Sequence, residues 1–399
     1  MADNVPKIRF PGFTEPWEQR KLREIFNSIN NAFVGTATPY YCDSGHFYLE
    51  SNNVKNGKIN KDSQIFINES FYQKQKDKWL KHGDIVMVQS GHVGHSAVIT
   101  EEYNNSAAHA LIMFRGPIHS IDSHFINYEF QTQTSKAKVD EIATGNTIKH
   151  ILASDMKEFL ISVPSLPEQQ QISRLFLNLD NLITLHQRKL DDLKKFKSGL
   201  LQKMFPKAGE TVPEVRFPEF TGDWEQRKFK DIASRSSEFS SDTNIPRVEY
   251  EDIISGEGRL NNDFFVKKSS KSGLRFKSGD VLFGKLRPYL HNWLFPKFDG
   301  IAVGDFLVLR SNNIDSGFLY RLIQTPYFDE ISNLSSGSKM PRADWNLVSE
   351  TEFMIPTNSD EQSKINCVFQ EVDNLITLHQ RKLDDLKKLK QGLLQQMFV

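Results

Sequence analysis

Apolar residues step three and four positions apart along two long stretches of the chain. The first runs through Ile172, Leu175, Leu179 and Leu182, then Leu193, Phe196 and Leu200; the second through Ile365, Val368, Val372 and Leu375, then Leu386, Leu389 and Leu393. A 3-4 alternation of this kind predicts a long helix with the narrow seam of a coiled coil rather than the wider face of a globular helix. Arg188, Lys189, Asp191, Asp192, Lys194 and Lys195 fill the other faces of the first stretch with charge. The stretches are copies: DNLITLHQRKLDDLKK spans 180–195 and returns letter for letter at 373–388, offset by 193 (373 − 180). Likeness continues outward, with EQQQIS from Glu168 answering EQSKIN from Glu361 and GLLQKMF from Gly199 answering GLLQQMF from Gly392. Sixteen consecutive identities at one offset mean duplication rather than two chance surface helices. His186 and His379 interrupt the seams near the helix midpoints, where two antiparallel copies would either bring their imidazoles together or leave both pointing to solvent.

A second repeat opens each half. PKIRFPGFTEPWEQRKLREI from Pro6 matches PEVRFPEFTGDWEQRKFKDI from Pro213, now offset by 207 (213 − 6), and Trp17 pairs with Trp224. The order is head, variable block, long helix, then the same again, with a linker from Pro206 through Gly209 to Pro213. The variable blocks, roughly 26–160 and 233–353, share much less. Each carries a Gly-Asp opening an apolar strand, HGDIVMVQSGHVGHSAVI from His82 and SGDVLFGKLRPYLHNWLF from Ser278. Segments near Phe125 and Phe318 read as helical and lead into glycine turns, Thr144-Gly145-Asn146 and Ser336-Gly337-Ser338, before a closing apolar strand. The expected architecture is mixed α+β, with an internal two-fold repeat: a globular domain over 1–160, a spacer helix over 161–207, a second domain over 208–353 and a second spacer helix over 354–399. A duplicated scaffold with diversified blocks suits gripping two different targets at a fixed separation.

Composition adds limits. With 50 basic and 50 acidic residues the formal net charge is +0, so any nucleic-acid footprint must be local. Cys42 and Cys367 have no metal-ligand spacing, and neither a secretory segment nor a long apolar run is evident, which points to a reducing cytoplasm. Gly279 to Lys285 fits the start of a phosphate-cradling loop but fails at Leu286, where Ser or Thr should hold a metal, and its Val-Leu-Phe interior is strand-like. His82, His92, His95 and His109 cluster in sequence, yet His92 and His95 flank a glycine turn and nothing nearby completes a ligand set, so no metal is expected. KLRPYLH supplies Lys285, Arg287, Tyr289 and His291, and GSKMPR supplies Lys339 and Arg342; such groups suit phosphate and guanine-edge contacts, or are simply solvated surface. Methyltransferase, dinucleotide, nucleophile-elbow and nuclease signatures are missing, so no catalytic residue is assigned.

Taken together, the WEQRK heads, the GDI and GDV strands, KLRPYL, GSKMPRADW, PSLPEQQQI and the repeated helices cover essentially the whole chain. With them it resembles the specificity subunit of Type I restriction-modification enzymes. The resemblance implies that each block is a target-recognition domain reading one half of an asymmetric, interrupted DNA site. It further implies that the helices pair as an antiparallel spacer and dock two methyltransferase subunits, with motor-nuclease subunits joining for cleavage. The chain itself would hold no cofactor: S-adenosylmethionine belongs to the methyltransferase partner, ATP and Mg to the restriction partner. DNA contacts are expected at Gln89, His92, Thr147 and Lys149 in one block and at Lys285, Arg287, Tyr289, Lys339 and Arg342 in the other. Spacer and partner contacts are expected at Leu175, Leu179, Leu182, His186 and Leu193, and at Val368, Val372, Leu375, His379 and Leu386. TNSDEQ stands where the first copy has PSLPEQ, which puts the start of the second helix in question.

Overall fold

EQRK, the string common to both heads, is a short strand each time, and it clasps the far end of the block that follows. Glu18–Lys21 pairs antiparallel with Leu160–Val163, and Glu225–Lys228 pairs with Glu352–Ile355 in the same way. The tryptophan before each strand is buried. The computed structural model describes residues 4–261, 264, 271–334 and 340–399. They divide into two units, one of Met1–His186 with Lys382–Val399 and one of Gln187–Arg381. The division falls near the midpoint of both long helices. Each unit therefore holds one head, one block, the first half of the helix after that block and the second half of the other helix.

Within each block a four-stranded antiparallel sheet has one order. In the first unit it is Phe26–Asn31, Leu111–Pro117, Ile85–Val88, Ser96–Val98; in the second, Ala233–Arg235, Phe306–Ser311, Val281–Gly284, Trp293–Leu294. A second four-stranded sheet contains one parallel pair in each, Ala107–Ala108 with His46–Leu49 and Arg247–Val248 with Gly300–Ala302. The Gly-Asp strands read as unbroken apolar runs because both faces are covered. Ile85 and Met87 face one core with Phe125 and Phe176, while Val86 and Val88 face another with Leu49 and Val54. Val281 and Phe283 alternate with Leu282 in the same way. Val281–Gly284 is thus a buried strand, as its composition suggested, and not a phosphate loop. The motif itself is a turn. Gly83 and Gly279 take φ of 87° and 89°, and the buried Asp84 and Asp280 accept from the backbone N–H of Lys81 and Lys277 at 2.8 Å.

The helical segments near Phe125 and Phe318 are each two helices, Ser123–Glu129 with Gln133–Ile142 and Ser316–Leu322 with Pro326–Asn333. Thr132 and Thr325 break them by capping the second helix, their hydroxyls accepting from Ser135 and Phe328 N–H. The turn at Gly145 is present; Ser336, Gly337 and Ser338 lie outside the described residues.

The long helices span Leu166–Lys203 and Ser359–Gln396, 38 residues each, or about 57 Å at ~1.5 Å per residue. Their starts are equivalent (359 − 166 = 193), so TNSDEQ leaves the beginning of the second helix unchanged. The duplicated sequence acts reciprocally. In the first unit Phe398, just past the second helix, packs on Trp17, Phe125 and Phe176 with ring centroids 6.1, 5.2 and 5.9 Å away. In the second unit Phe205, just past the first helix, packs on Trp224, Phe318 and Phe369 at 6.1, 5.5 and 6.4 Å. Lys390 meets Asp180 at 2.7 Å in one unit, and Lys197 meets Asp373 at 2.8 Å in the other. Each helix copy thus supplies an aspartate to its own block and a lysine and a phenylalanine to the other.

Two ion pairs absent from the sequence reading fasten the heads. Arg9 grips Glu168 through two hydrogen bonds of 2.7 and 2.9 Å, and Arg216 grips Glu361 at 2.7 and 2.8 Å, with both carboxylates buried. The available signal was the RFP recurring in both heads together with the EQ recurring at both helix starts.

Candidate nucleic-acid interface

Strand Ile85–Val88 runs into Gln89, Ser90, Gly91 and His92 before the chain turns back. A second loop, far along the chain, lies against this one. Gly91 N–H donates to Lys149 O and Ile151 N–H to Gln89 O, both at 3.0 Å, while Thr144 and His150 exchange two 2.8 Å backbone bonds. The second loop is therefore a tight hairpin around Gly145, where φ is +100° and an added Cβ would stand 2.3 Å from Ile148 O. Its tip exposes Thr147, Ile148 and Lys149; Lys149 is held at 2.7 Å by Asp140 of helix Gln133–Ile142.

The second block repeats the construction with different side chains. Val281–Gly284 runs into Lys285, Leu286 and Arg287, and the segment after residue 340 lies alongside. Arg287 N–H donates to Pro341 O at 2.8 Å, and Ala343 N–H donates to Lys285 O at 2.9 Å. Arg287 and His291 adopt left-handed φ of 51° and 54° around the short turn Pro288–Leu290. That conformation is costly for residues with side chains, and strain of this kind gathers where a side chain must be aimed. Tyr289 projects outward at 51 % exposure. Arg342 pairs with Asp305 at 2.9 Å; His291 bonds Asp329 at 2.8 Å and stacks on Trp293.

Gln89, His92, Thr147 and Lys149 are thus gathered by one loop pair, and Lys285, Arg287, Tyr289 and Arg342 by its counterpart. Lys339 lies outside the described residues. Within each pair the backbone is fixed by the neighbouring loop, which leaves exposed side chains free to vary. A rigid frame with mixed cationic, amide and aromatic tips can contact phosphates and base edges.

The spacer residues divide. Leu179 and Val372 are buried and Leu175, Leu193, Val368 and Leu386 are half-buried, as are His186 and His379. Leu182 and Leu375 are exposed, and the inward positions are Phe176, Phe369 and Ile376. With Leu185, Leu378, Phe196 and Leu389 they leave an apolar stripe on each helix at equivalent places. Among the described residues no helix is long and apolar enough to cross a membrane, and no cluster of His, Cys, Asp and Glu is arranged to hold a metal ion.

The family model of the Type I restriction modification DNA specificity domain matches residues 14–195 and again 221–388. The chain is similar to the Type I restriction enzyme MjaVIII specificity subunit of Methanocaldococcus jannaschii, at 22 % identity over 95 % of this chain and 91 % of that one. It is also similar to the EcoDI specificity subunit of Escherichia coli, at 22 % identity over 65 % of this chain and 66 % of that one. Its fold is similar to a Type I restriction-modification S subunit from M. genitalium, with a TM-score of 0.60, 15 % identity and 99 % of each chain covered.

Proposed function

Because the chain belongs to the family of Type I restriction modification DNA specificity domains, we propose that it reads a bipartite, interrupted DNA site, one half per block. The observation that carries this reading is the loop pair built twice on one backbone plan, with Gln89, His92, Thr147 and Lys149 on one copy and Lys285, Arg287, Tyr289 and Arg342 on the other. The shared frame accounts for a common way of approaching DNA, and the unlike tips account for unlike half-sites. The long helices set the unspecified gap between the halves. Their exposed Leu182-Leu185-Phe196 and Leu375-Leu378-Leu389 stripes receive the methyltransferase subunits, since repeated apolar side chains without a cover favour an apolar partner. The chain performs no chemistry: S-adenosylmethionine is held by the methyltransferase subunits, which methylate adenine, and ATP and Mg by the restriction subunits, which cleave unmodified DNA.

Replacing residues 26–160 with the corresponding block of another family member tests the reading. Sequencing of methylated DNA should show one half-site changed and the other retained. A change in both halves would overturn it. S-adenosylmethionine binding by the purified chain alone would contradict the absence of chemistry.

A further inference from the structure

Both units place the same lysine of the duplicated helix near the same hairpin, and only one of them neutralises it. In the second unit the hairpin from Ile253–Ile254 to Arg259–Leu260 carries Glu257, which takes Lys194 at 2.9 Å and Arg259 at 2.6 Å. Glu257 lines a cavity of only about 160 Å³. The first unit has a corresponding hairpin from Val54–Lys55 to Lys58–Ile59, but its turn is only Asn56-Gly57 where the second unit has Ser255-Gly256-Glu257-Gly258, so it carries no carboxylate, and Lys387 is the repeat of Lys194. Here the cavity opens to about 760 Å³. Lys58, Lys136, Lys387 and Lys390 line it against just two carboxylates, Asp140 and Asp180. Both are already engaged, Asp140 by Lys149 and Asp180 by Lys390, each at 2.7 Å. Among the described residues Lys136 and Lys387 make no ion pair. The net field inside is positive, and clefts concentrate such fields.

We propose that this cavity of the first unit is a phosphate-binding site, and that its occupant is a backbone phosphate of DNA flanking the half-site read by the first block. The cavity wall at Val93, Gly94 and His95 continues directly from His92 of the candidate interface, which puts the cavity beside that loop. Gln133 and Gln391 add amide groups to the lining. Burial above all, then His92, Lys136 and Lys55, hold the His95 imidazole below its ordinary pKa, so a bound anion would raise it. Naming DNA as the source rests on the DNA-recognition reading; the phosphate site does not.

The full-length protein tests both parts. His95, assigned by its loss in His95→Gln, is titrated by histidine side-chain NMR in orthophosphate and in chloride at equal ionic strength. A bound phosphate should raise its midpoint by about one pH unit in the wild type, and not in the Lys136→Gln, Lys387→Gln double variant. Asn56→Asp supplies the missing carboxylate at a left-handed position that Asp tolerates, and should also blunt the response. An identical midpoint in the two salts would overturn the site. For the source, the slope of log Kd against log salt for specific DNA should fall by about two in the double variant, with the recognised motif unchanged. An unchanged slope beside a phosphate response would overturn the DNA source and leave a site for free phosphate. Failure of the wild type to bind specific DNA at all would instead count against the recognition reading.

Discussion

The two units keep the same fastenings and differ in what surrounds them. Arg9–Glu168 answers Arg216–Glu361, Asp180–Lys390 answers Asp373–Lys197, and Phe398 answers Phe205. Around those fixed points the partners change. Asp180 accepts from the Tyr128 hydroxyl at 2.8 Å, whereas Asp373 accepts from Arg321 at 2.6 Å. Glu129 stands buried where the second unit has Leu322, and the turn Asn56-Gly57 lacks the carboxylate that Glu257 brings to the longer turn of the second unit. Duplication has therefore preserved the residues that hold a block to the helices and released those that give a block its own chemistry. Head 2 follows Phe205 through the linker 206–212, whereas head 1 receives Phe398 from the far end of the sequence, with Ile8 N–H donating to Gln396 O at 2.8 Å. Val215 N–H donates to Lys203 O at the same 2.8 Å, so the joint needs no covalent neighbour to form.

The largest effect should come from breaking those joints one at a time. Phe398→Ala and Phe205→Ala each empty an aromatic pocket, at about 3–5 kcal/mol for a buried Phe. Amide hydrogen exchange should show protection lost around Trp17 and Phe125 in the first variant and around Trp224 and Phe318 in the second. Equal loosening of both units by either substitution would mean that the fastenings are not local.

Much of this was legible in the sequence, and the misses have physical reasons. Repeats in heads and helices exposed the two-fold plan because the fastening residues lie inside them. Which face of a helix points inward was harder: 172-175-179-182 and 172-176-179-183 are both 3-4 patterns, and packing alone buried Phe176 and left Leu182 exposed. Loop clusters could be named from their basic and aromatic residues, but the pairing of Gln89 with Ile151, or of Arg287 with Pro341, is long-range backbone bonding that leaves no local pattern. Arg9 stayed hidden because a lone arginine in a polar head reads as surface until its buried partner is known.

Next in size is an acidic group that only the first unit has. Glu129 is buried, accepts from Ser135 at 2.8 Å through one oxygen, and has no partner for the other among the described residues. Burial, only partly countered by the Ser135 bond and Lys138, pushes its pKa up from 4.5 to about 7. Between those values the folded chain keeps a proton that the unfolded chain has released, so the contribution is full below 4.5 and is lost as pH rises through about 7. The first unit should lose on the order of 1–3 kcal/mol of stability across that window, and Glu129→Gln should abolish the slope. Urea denaturation from pH 5 to 8 checks this; a slope that survives in Glu129→Gln would place its origin elsewhere.

Smaller again is the contrast between recognition loops. Arg287→Ala should cost ~1–3 kcal/mol at one base position of the half-site proposed for the second block and leave the other half-site untouched. Competition binding with single-position DNA variants reads this directly. Uniform weakening across all positions would make Arg287 a phosphate contact instead.

In the proposed function the two blocks are independent readers spaced by the duplicated helices. A heptad inserted between Lys189 and Leu190, and another between Lys382 and Leu383, keeps the seam in phase. Each insertion falls between the Asp180–Lys390 and Lys197–Asp373 fastenings, so both survive. The spacer gains ~10 Å, equivalent to roughly three base pairs. Sequencing of DNA methylated by the double-insertion variant should show both half-sites unchanged and the gap between them widened by about three base pairs. An active variant with an unaltered gap would contradict the account, because something other than these helices would then be the ruler.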